Sequence, residues 1–529
     1  MNTEKKIWSR WASVESIPIL HPFLLPAYFL LAIYTTNSDS IRLAELGFAG
    51  VILFCLAAAL WVIFRFILPS SHRSALVVTI WGALFFTFGH VYEVLQPYLV
   101  PSGAGGGAEP SEIKRLYWIL GGLWTAMFLA TPLFAERMSV KTSRVFSEFL
   151  TLFTAVLLAF PIASIGYSAI ARAYDTQASS QRDVEIIADR VQERYPDLLL
   201  IVLDSYARAD TLSNQFGHDN GEFISALEKR GFTIPSESRS NYAWSQLSIP
   251  SLVNFQYLQS LDTWPGERAR NKRFLQEAFS TARLAKELRN RGLAYHHFES
   301  TYFVSESSSL ADARHACSGG HRSALQRLLL QTTFARLWRQ TLVGDLAECH
   351  LQQFDRLARV ASNDGPKFIF AHFMPPHHPY LFDSAGNVLM TATLSEQFGA
   401  QARLWSDRKA YVEQLRFVNT KMIELIDRIE RDATRPYILV LASDHGPKVI
   451  TSSLSVASDY TDHRFRNFVA VLEPGNASSI SNTISLVNLP RLILNDHYDG
   501  DFPPLKDRFF DSEFNPPYKL DEIRFAEFE

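Results

Sequence analysis

Four short stretches of the chain carry residue types that metal-assisted ester chemistry uses. Residues 437–447 read Tyr-Ile-Leu-Val-Leu-Ala-Ser-Asp-His-Gly-Pro, an apolar run that stops at Asp444 and His445. A second apolar run, Asp197–Leu203, stops at Asp204. A third, at 367–372, leads into Phe-Met-Pro-Pro-His-His-Pro-Tyr, which contains His377 and His378. Ser245 and Ser248 lie in a small, polar and aromatic stretch at 239–254. A hard carboxylate beside an imidazole suits a divalent cation such as Zn²⁺ or Mn²⁺. Two carboxylates, one imidazole and one serine oxygen complete a tetrahedral site. Coordination then lowers the pKa of the serine and turns its hydroxyl into a nucleophile near neutral pH. His377, with His463, Arg464 or Arg466, offers donors for the remaining oxygens of a phosphate or sulfate ester.

Plainer readings exist for the same residues. Asp204 could cap a turn, Ser245 could cap a helix, and His377 could stack in its proline-rich loop. Ser248 competes with Ser245 as nucleophile. His372, inside its strand, is expected as a core histidine with a satisfied ring nitrogen, and His378 as a surface or supporting residue.

The elements that must position these groups are buried strands. Short, β-branched, fully apolar runs bounded by turn residues read as parallel strands, and ligands gather past the carboxyl ends of such strands. The serine stretch reads as a hydroxyl-rich turn opening a helix, whose first N–H groups face an anion. Residues 221–231 and 281–292 read as helices, 294–298 and 468–472 as strands. Val412, Leu415, Val418, Met422, Leu425, Ile426 and Ile429 recur at helical spacing within 403–431, a core stripe. Strands alternating with helices predict an α/β domain with a largely parallel central sheet. Residues 299–364 read as an insertion with helices.

The chain has 529 residues, too many for one ordinary domain, and a net charge of −3, with no basic field for nucleic acid. Its apolar residues are concentrated at the N-terminal end. Five stretches, near 17–36, 46–68, 75–99, 118–134 and 149–171, are long enough to span a bilayer. Lys5, Lys6, Arg10, Arg65, Arg73, Arg137, Lys141 and Arg144 lie on one side of these spans. This bias places the N-terminus in the cytoplasm and everything after Arg172 outside it. The organisation expected is a transmembrane domain at 1–172, a linker at 173–196 and an outer catalytic domain at 197–529. His90, Tyr92 and Glu93 fall within the third span, where ionisable groups are either functional or paired with a neighbouring helix. The Gly-rich loop at 102–108 lacks the lysine and preceding strand of a phosphate cradle. Of three cysteines, Cys55 is expected to be buried in a span. An extracytoplasmic setting permits a Cys317–Cys349 disulfide, which spacing alone leaves open. No Cys-x-x-Cys exists.

Ile-Val-Leu-Asp204-Ser-Tyr-Ala-Arg-Ala-Asp, Ser-Asn-Tyr-Ala-Trp-Ser245-Gln-Leu-Ser, Phe-Ala-His-Phe-Met-Pro-Pro-His377-His-Pro-Tyr and Ser-Asp444-His445-Gly-Pro occur in that order. Together they resemble the sulfatase branch of the alkaline phosphatase superfamily over residues 197–475. The similarity is greatest to membrane-anchored envelope proteins related to phosphoethanolamine transferases and lipoteichoic acid synthases. The resemblance implies Asp204, Asp444 and His445 as ligands of a divalent metal, Zn or Mn, with Ser245 as nucleophile and metal ligand. It implies substrate contacts from His377 and, through a looser match, from His463 and Arg464. The chain departs from sulfatases that oxidise a Cys or Ser to formylglycine: Ser248-Ile249-Pro250-Ser251-Leu252 has Leu in place of the Arg of that signature. The expected activity is transfer or cleavage of a phospho-substituted group on envelope glycan or lipid, at the inner membrane. The alternatives are a sulfuric ester hydrolase on the same scaffold and an idle domain that binds envelope polymer.

Overall fold

The computed structural model describes residues 17–37, 41, 43–99, 110–175, 194–261, 264–317, 324–389, 405, 407–448, 462–475 and 479–528. The chain divides into two compact units. One comprises 1–101, 108–180 and 322–339, and the other 102–107, 181–321 and 340–529.

The first unit is helical: α1 (His21–Thr36), α2 (Leu43–Ile67), α3 (Ser71–Leu99), α4 (Pro110–Arg137) and α5 (Val140–Asp175). The last four contain stretches long and apolar enough to cross a membrane. The first is 16 residues long with Pro26 inside it, which is short for a span. Four to five apolar helices therefore precede the α/β unit. Cys55, expected to be buried, lies on an exposed face of α2.

The second unit is built on a six-stranded sheet of β1 (Asp197–Leu203), β2 (Ala294–Phe298), β3 (Ala313–His315), β4 (Lys367–Phe373), β5 (Tyr437–Ser443) and β6 (Val469–Leu472). Their order is β3-β2-β4-β1-β5-β6. All neighbours are parallel except β5 and β6. The pleat sends alternate residues to opposite faces. Leu198, Leu200 and Val202 join Phe368, Phe370, Val440 and Ala442 in one core. Leu199, Ile201 and Leu203 join Ile369, Ala371, Leu439 and Leu441 in the other. Apolar burial on both faces explains why these strands read as continuous runs.

Helix α6 (Ala209–Phe216) and helix α7 (Gly221–Glu228) follow β1, and α8 (Ser245–Asn254) covers the first core through Leu247, Ile249, Leu252 and Val253. Helix α9 (Arg273–Ser280) and α10 (Arg283–Asn290) lead to β2; α11 (Ala324–Thr332) and α12 (Arg339–Ala361) fall between β3 and β4. Helix α13 (Arg408–Asp432) covers the second core with the stripe Leu415, Val418, Met422, Leu425, Ile426 and Ile429. Asp407 caps it, accepting from the Ala410 N–H at 3.0 Å. Cys317 and Cys349 are joined in a disulfide, with Cα atoms 5.2 Å apart.

Candidate metal and nucleophile site

Strand register brings the distant residues together. Leu203 is level with Phe373 of β4 and with Ser443 of β5, so the residues that follow all three emerge at one edge. Asp204 follows β1 and donates its main-chain N–H to the Phe373 carbonyl at 2.9 Å. Asp444 and His445 follow β5, and Ser245 is the first residue of α8. All four are buried.

At this edge Asp204, Asp444 and His445 each present a ligand atom within 4.8 Å of the others. Ser245 Oγ lies 3.0 Å from His445 Nε2 and 3.5 Å from Asp204 Oδ2. His445 Nδ1 is 2.7 Å from the Gly446 carbonyl, which can only accept. Nδ1 therefore carries the proton, and Nε2 turns a bare lone pair toward the serine. Burial pushes the His445 pKa down against the pull of the Asp444 carboxylate, which keeps the ring neutral and able to ligate. Burial alone would raise the Asp204 pKa, yet His377, His372 and His445 around it hold that carboxyl well below its usual range.

The donor set fits a divalent cation. Asp444 Oδ1 accepts from the Ser205 and His445 N–H groups, both at 3.0 Å. Among the described residues, Asp444 Oδ2 is buried with no hydrogen-bond partner, an orphan that a bound cation would satisfy.

The other candidates take different places. His377 is half-buried with Nδ1 2.5 Å from the His378 carbonyl and its ring edge-on to Trp405. It influences Asp204 by charge but stands outside the ligand cluster. His378, expected as a surface or supporting residue, is buried against Trp405. Nδ1 of His463 lies 3.5 Å from the Thr211 hydroxyl. Arg464 lays its guanidinium over the Trp244 ring at 4.2 Å and donates to the Ala243 carbonyl. It thus braces the turn that delivers Ser245. Ser248 donates to the main-chain carbonyl of Asp444 at 2.5 Å, so its hydroxyl is engaged in joining α8 to the end of β5.

Two contributors go beyond the sequence reading. His372 is more than a core histidine: Nδ1 meets the Ser305 hydroxyl at 2.7 Å, and Nε2 faces Asp204 Oδ2 at 3.4 Å. Ser205 donates its hydroxyl to Asp204 Oδ1 at 2.9 Å and sits 3.3 Å from His445 Nδ1. The Asp204-Ser205 dipeptide at a strand end was the available signal for the second. For His372 only the β1–β4 register supplies it.

The mostly parallel sheet thus gathers a buried cluster of carboxylates, an imidazole and a serine at its carboxyl edge. The chain belongs to the sulfatase family, which matches residues 196–494, and is a sulfatase-like enzyme. Among solved structures it is similar to the C-terminal periplasmic domain of EptC from Escherichia coli. That match has 14% identity and a TM-score of 0.41, covering 64% of this chain and 94% of that one. It is also similar to the integral membrane lipooligosaccharide phosphoethanolamine transferase A from Neisseria meningitidis. There identity is 13% and the TM-score 0.37, covering 90% of this chain and 93% of that one. No curated protein matches the chain.

Proposed function

We propose that this protein is an integral membrane enzyme that transfers or hydrolyses a phospho-substituted group on an envelope glycan or lipid, with Ser245 as its nucleophile. The observation that carries this reading is the placement of Ser245 Oγ, 3.0 Å from His445 Nε2 and 3.5 Å from Asp204 Oδ2, beside the unpartnered Asp444 Oδ2. Asp204, Asp444, His445 and Ser245 would hold the divalent cation, Zn or Mn. When bound, that ion supplies charge neutralisation for the ester oxygens and a lowered pKa for the serine hydroxyl.

In this reading the serine oxygen attacks the phosphorus and the ester alcohol departs. The group then resides on Ser245 until an acceptor hydroxyl or water removes it. Helix α8 directs its first N–H groups toward the group being transferred. His377, half-buried beside the cluster, contacts a phosphoryl oxygen, with His463 and Arg464 as further substrate contacts. In this reading the catalytic unit lies on the extracytoplasmic side of the inner membrane, which the lysine and arginine bias of the helix connections supports.

Direct attack by an ordinary hydroxyl is favoured over formylglycine chemistry. Leu252 replaces the signature Arg, and the Ser248 hydroxyl is engaged with the Asp444 carbonyl. Mass spectrometry of the peptide containing Ser245 and Ser248 tests this, because formylglycine formation removes two hydrogens. For the main reading, Ser245→Ala is expected to lower turnover of a chromogenic phosphodiester at least about 1,000-fold while bound metal, measured by elemental analysis, stays near stoichiometric. Full activity in that variant would refute the assignment.

A further inference from the structure

Residues 324–339 lie in sequence between β3 and β4 of the catalytic unit, yet they pack as part of the helical unit. Helix α11 carries Leu325, Leu328 and Leu329 one turn apart, and these join Leu30 and Tyr34 of α1 and Leu46 of α2 in one apolar cluster. The short 3-10 turn Phe334–Trp338 follows. There the Phe334 ring packs edge-on to Phe88 of α3 at 5.1 Å and against Phe128 of α4 at 5.2 Å. Phe128 is close to the midpoint of the apolar stretch Arg115–Arg137, so the segment reaches deep into the bundle. Gly89 is what allows this. A Cβ there would stand 2.4 Å from the Gln331 carbonyl oxygen, so backbone meets backbone, as small residues permit between helices in a membrane.

The segment also carries a charge into this apolar setting, and the charge is matched. Arg336 pairs with Glu93 at 2.5 Å, donates to the Tyr117 hydroxyl at 2.8 Å and to the Gln331 carbonyl at 3.0 Å, and lies over the Tyr92 ring at 4.3 Å. A partly buried ion pair with this many hydrogen bonds is costly to break from one side, because the other charge is left without its counter-ion. In the catalytic unit, Cys317 before the segment and Cys349 after it are joined by the disulfide, so the segment is the tip of a covalently closed loop.

We propose that residues 324–339 are a membrane-embedded anchor, a segment inserted between β3 and β4 that packs on α1, α2, α3 and α4 within the helical unit. It holds the two halves together without the covalent connection near Ser180. Irregular backbone at membrane depth is tolerated only where protein surrounds it, and the helix, the 3-10 turn and the Arg336 bonds meet that requirement. The inference is independent of the catalytic reading.

The test uses the full chain in detergent micelles, with an affinity tag at the N-terminus and a specific protease site inserted at the Ser180–Gln181 boundary. After cleavage, capture of the N-terminal fragment is expected to retain most of the C-terminal fragment. Arg336→Glu, which sets two carboxylates against each other, is expected to cut retention at least about tenfold. The exchange Arg336→Glu with Glu93→Arg is expected to recover most of it, which a merely misfolded variant would not do. Loss of the C-terminal fragment from the unsubstituted protein overturns the proposal, as does undiminished retention in Arg336→Glu. An exchange that recovers nothing overturns the ion pair on which the anchor is argued.

Discussion

Ser205 orients Asp444 through its main chain: the Ser205 N–H donates to Asp444 Oδ1 at 3.0 Å. It does so from a left-handed backbone, with φ at 56°. That conformation costs a residue with a side chain about 1–2 kcal/mol, and here it directs the N–H across from the end of β1 to the end of β5. With Oδ1 held by this N–H and that of His445, Oδ2 is presented to the ligand cluster.

The backbone and the hydroxyl of Ser205 can be separated. Ser205→Gly keeps the N–H and relaxes the strain, so it is expected to hold cation affinity within a few-fold, the loss coming from the hydroxyl on Asp204 Oδ1. Ser205→Val, β-branched and ill-suited to positive φ, is expected to weaken cation affinity at least about tenfold, roughly the 1.4 kcal/mol by which it strains the turn. Titration of metal-stripped protein with Zn²⁺ measures both, and equal affinities would refute the backbone argument.

Ser248→Ala separates the two serines. It leaves the Asp444 carbonyl without its buried donor, a cost of about 1–3 kcal/mol, which melting temperature reports. Turnover per folded molecule is expected within a few-fold of the parent, in contrast to Ser245→Ala. A turnover loss as large as that of Ser245→Ala would make Ser248 the nucleophile.

Gly446 has no room for a side chain. A Cβ there would meet the His463 carbonyl oxygen at 2.0 Å and that of Arg466 at 2.8 Å. Gly446→Ala must therefore push the 462–466 segment away and lift Arg464 from Trp244. The expected result is a stability loss of about 1–3 kcal/mol with turnover falling more steeply than cation affinity, since the displaced brace lies behind Ser245. Parallel Zn²⁺ titration and kinetics check the difference, and an unaltered turnover would refute it.

The fold was largely legible because β1, β4 and β5 are buried on both faces, so their sequences are nearly continuous apolar runs, and those of β1 and β5 stop abruptly at Asp204 and at Asp444-His445. His372 is the buried core histidine with a satisfied ring nitrogen that its strand predicts, but its approach to Asp204 was not legible. Within such a run nothing marks it, and only pairing with Val202, one residue short of the strand end, brings its ring to Asp204. What His463 and Arg464 touch within the fold was not legible in the sequence. Their partners Thr211, Ala243 and Trp244 are more than two hundred residues away. The 324–339 segment escaped notice because its Leu325, Leu328 and Leu329 spacing is that of any surface helix. What separates it is Gly89, a glycine of another helix.

His297 gives a pH dependence remote from the ligand cluster. Its ring is buried in β2, stacked on Phe370, with Nδ1 facing the Tyr295 hydroxyl at 3.1 Å and Nε2 facing the Glu306 carbonyl at 3.2 Å. Nε2 therefore carries the proton and donates to the carbonyl, while Nδ1 accepts from the tyrosine. This arrangement suits the neutral ring, and burial pushes the pKa down from 6.5 to about 4. The unfolded chain binds the proton more tightly than the folded one, so this stabilisation is complete above pH 6.5 and is lost as pH falls toward 4. The difference corresponds to about 3 kcal/mol at the acid end. His297→Gln can keep both hydrogen bonds, its amide donating to Glu306 and its oxygen accepting from Tyr295, without the titration. The gap in melting temperature between parent and variant is therefore expected to shift in favour of the variant on going from pH 7 to pH 4.5. A gap that does not move with pH would show that His297 does not control this loss.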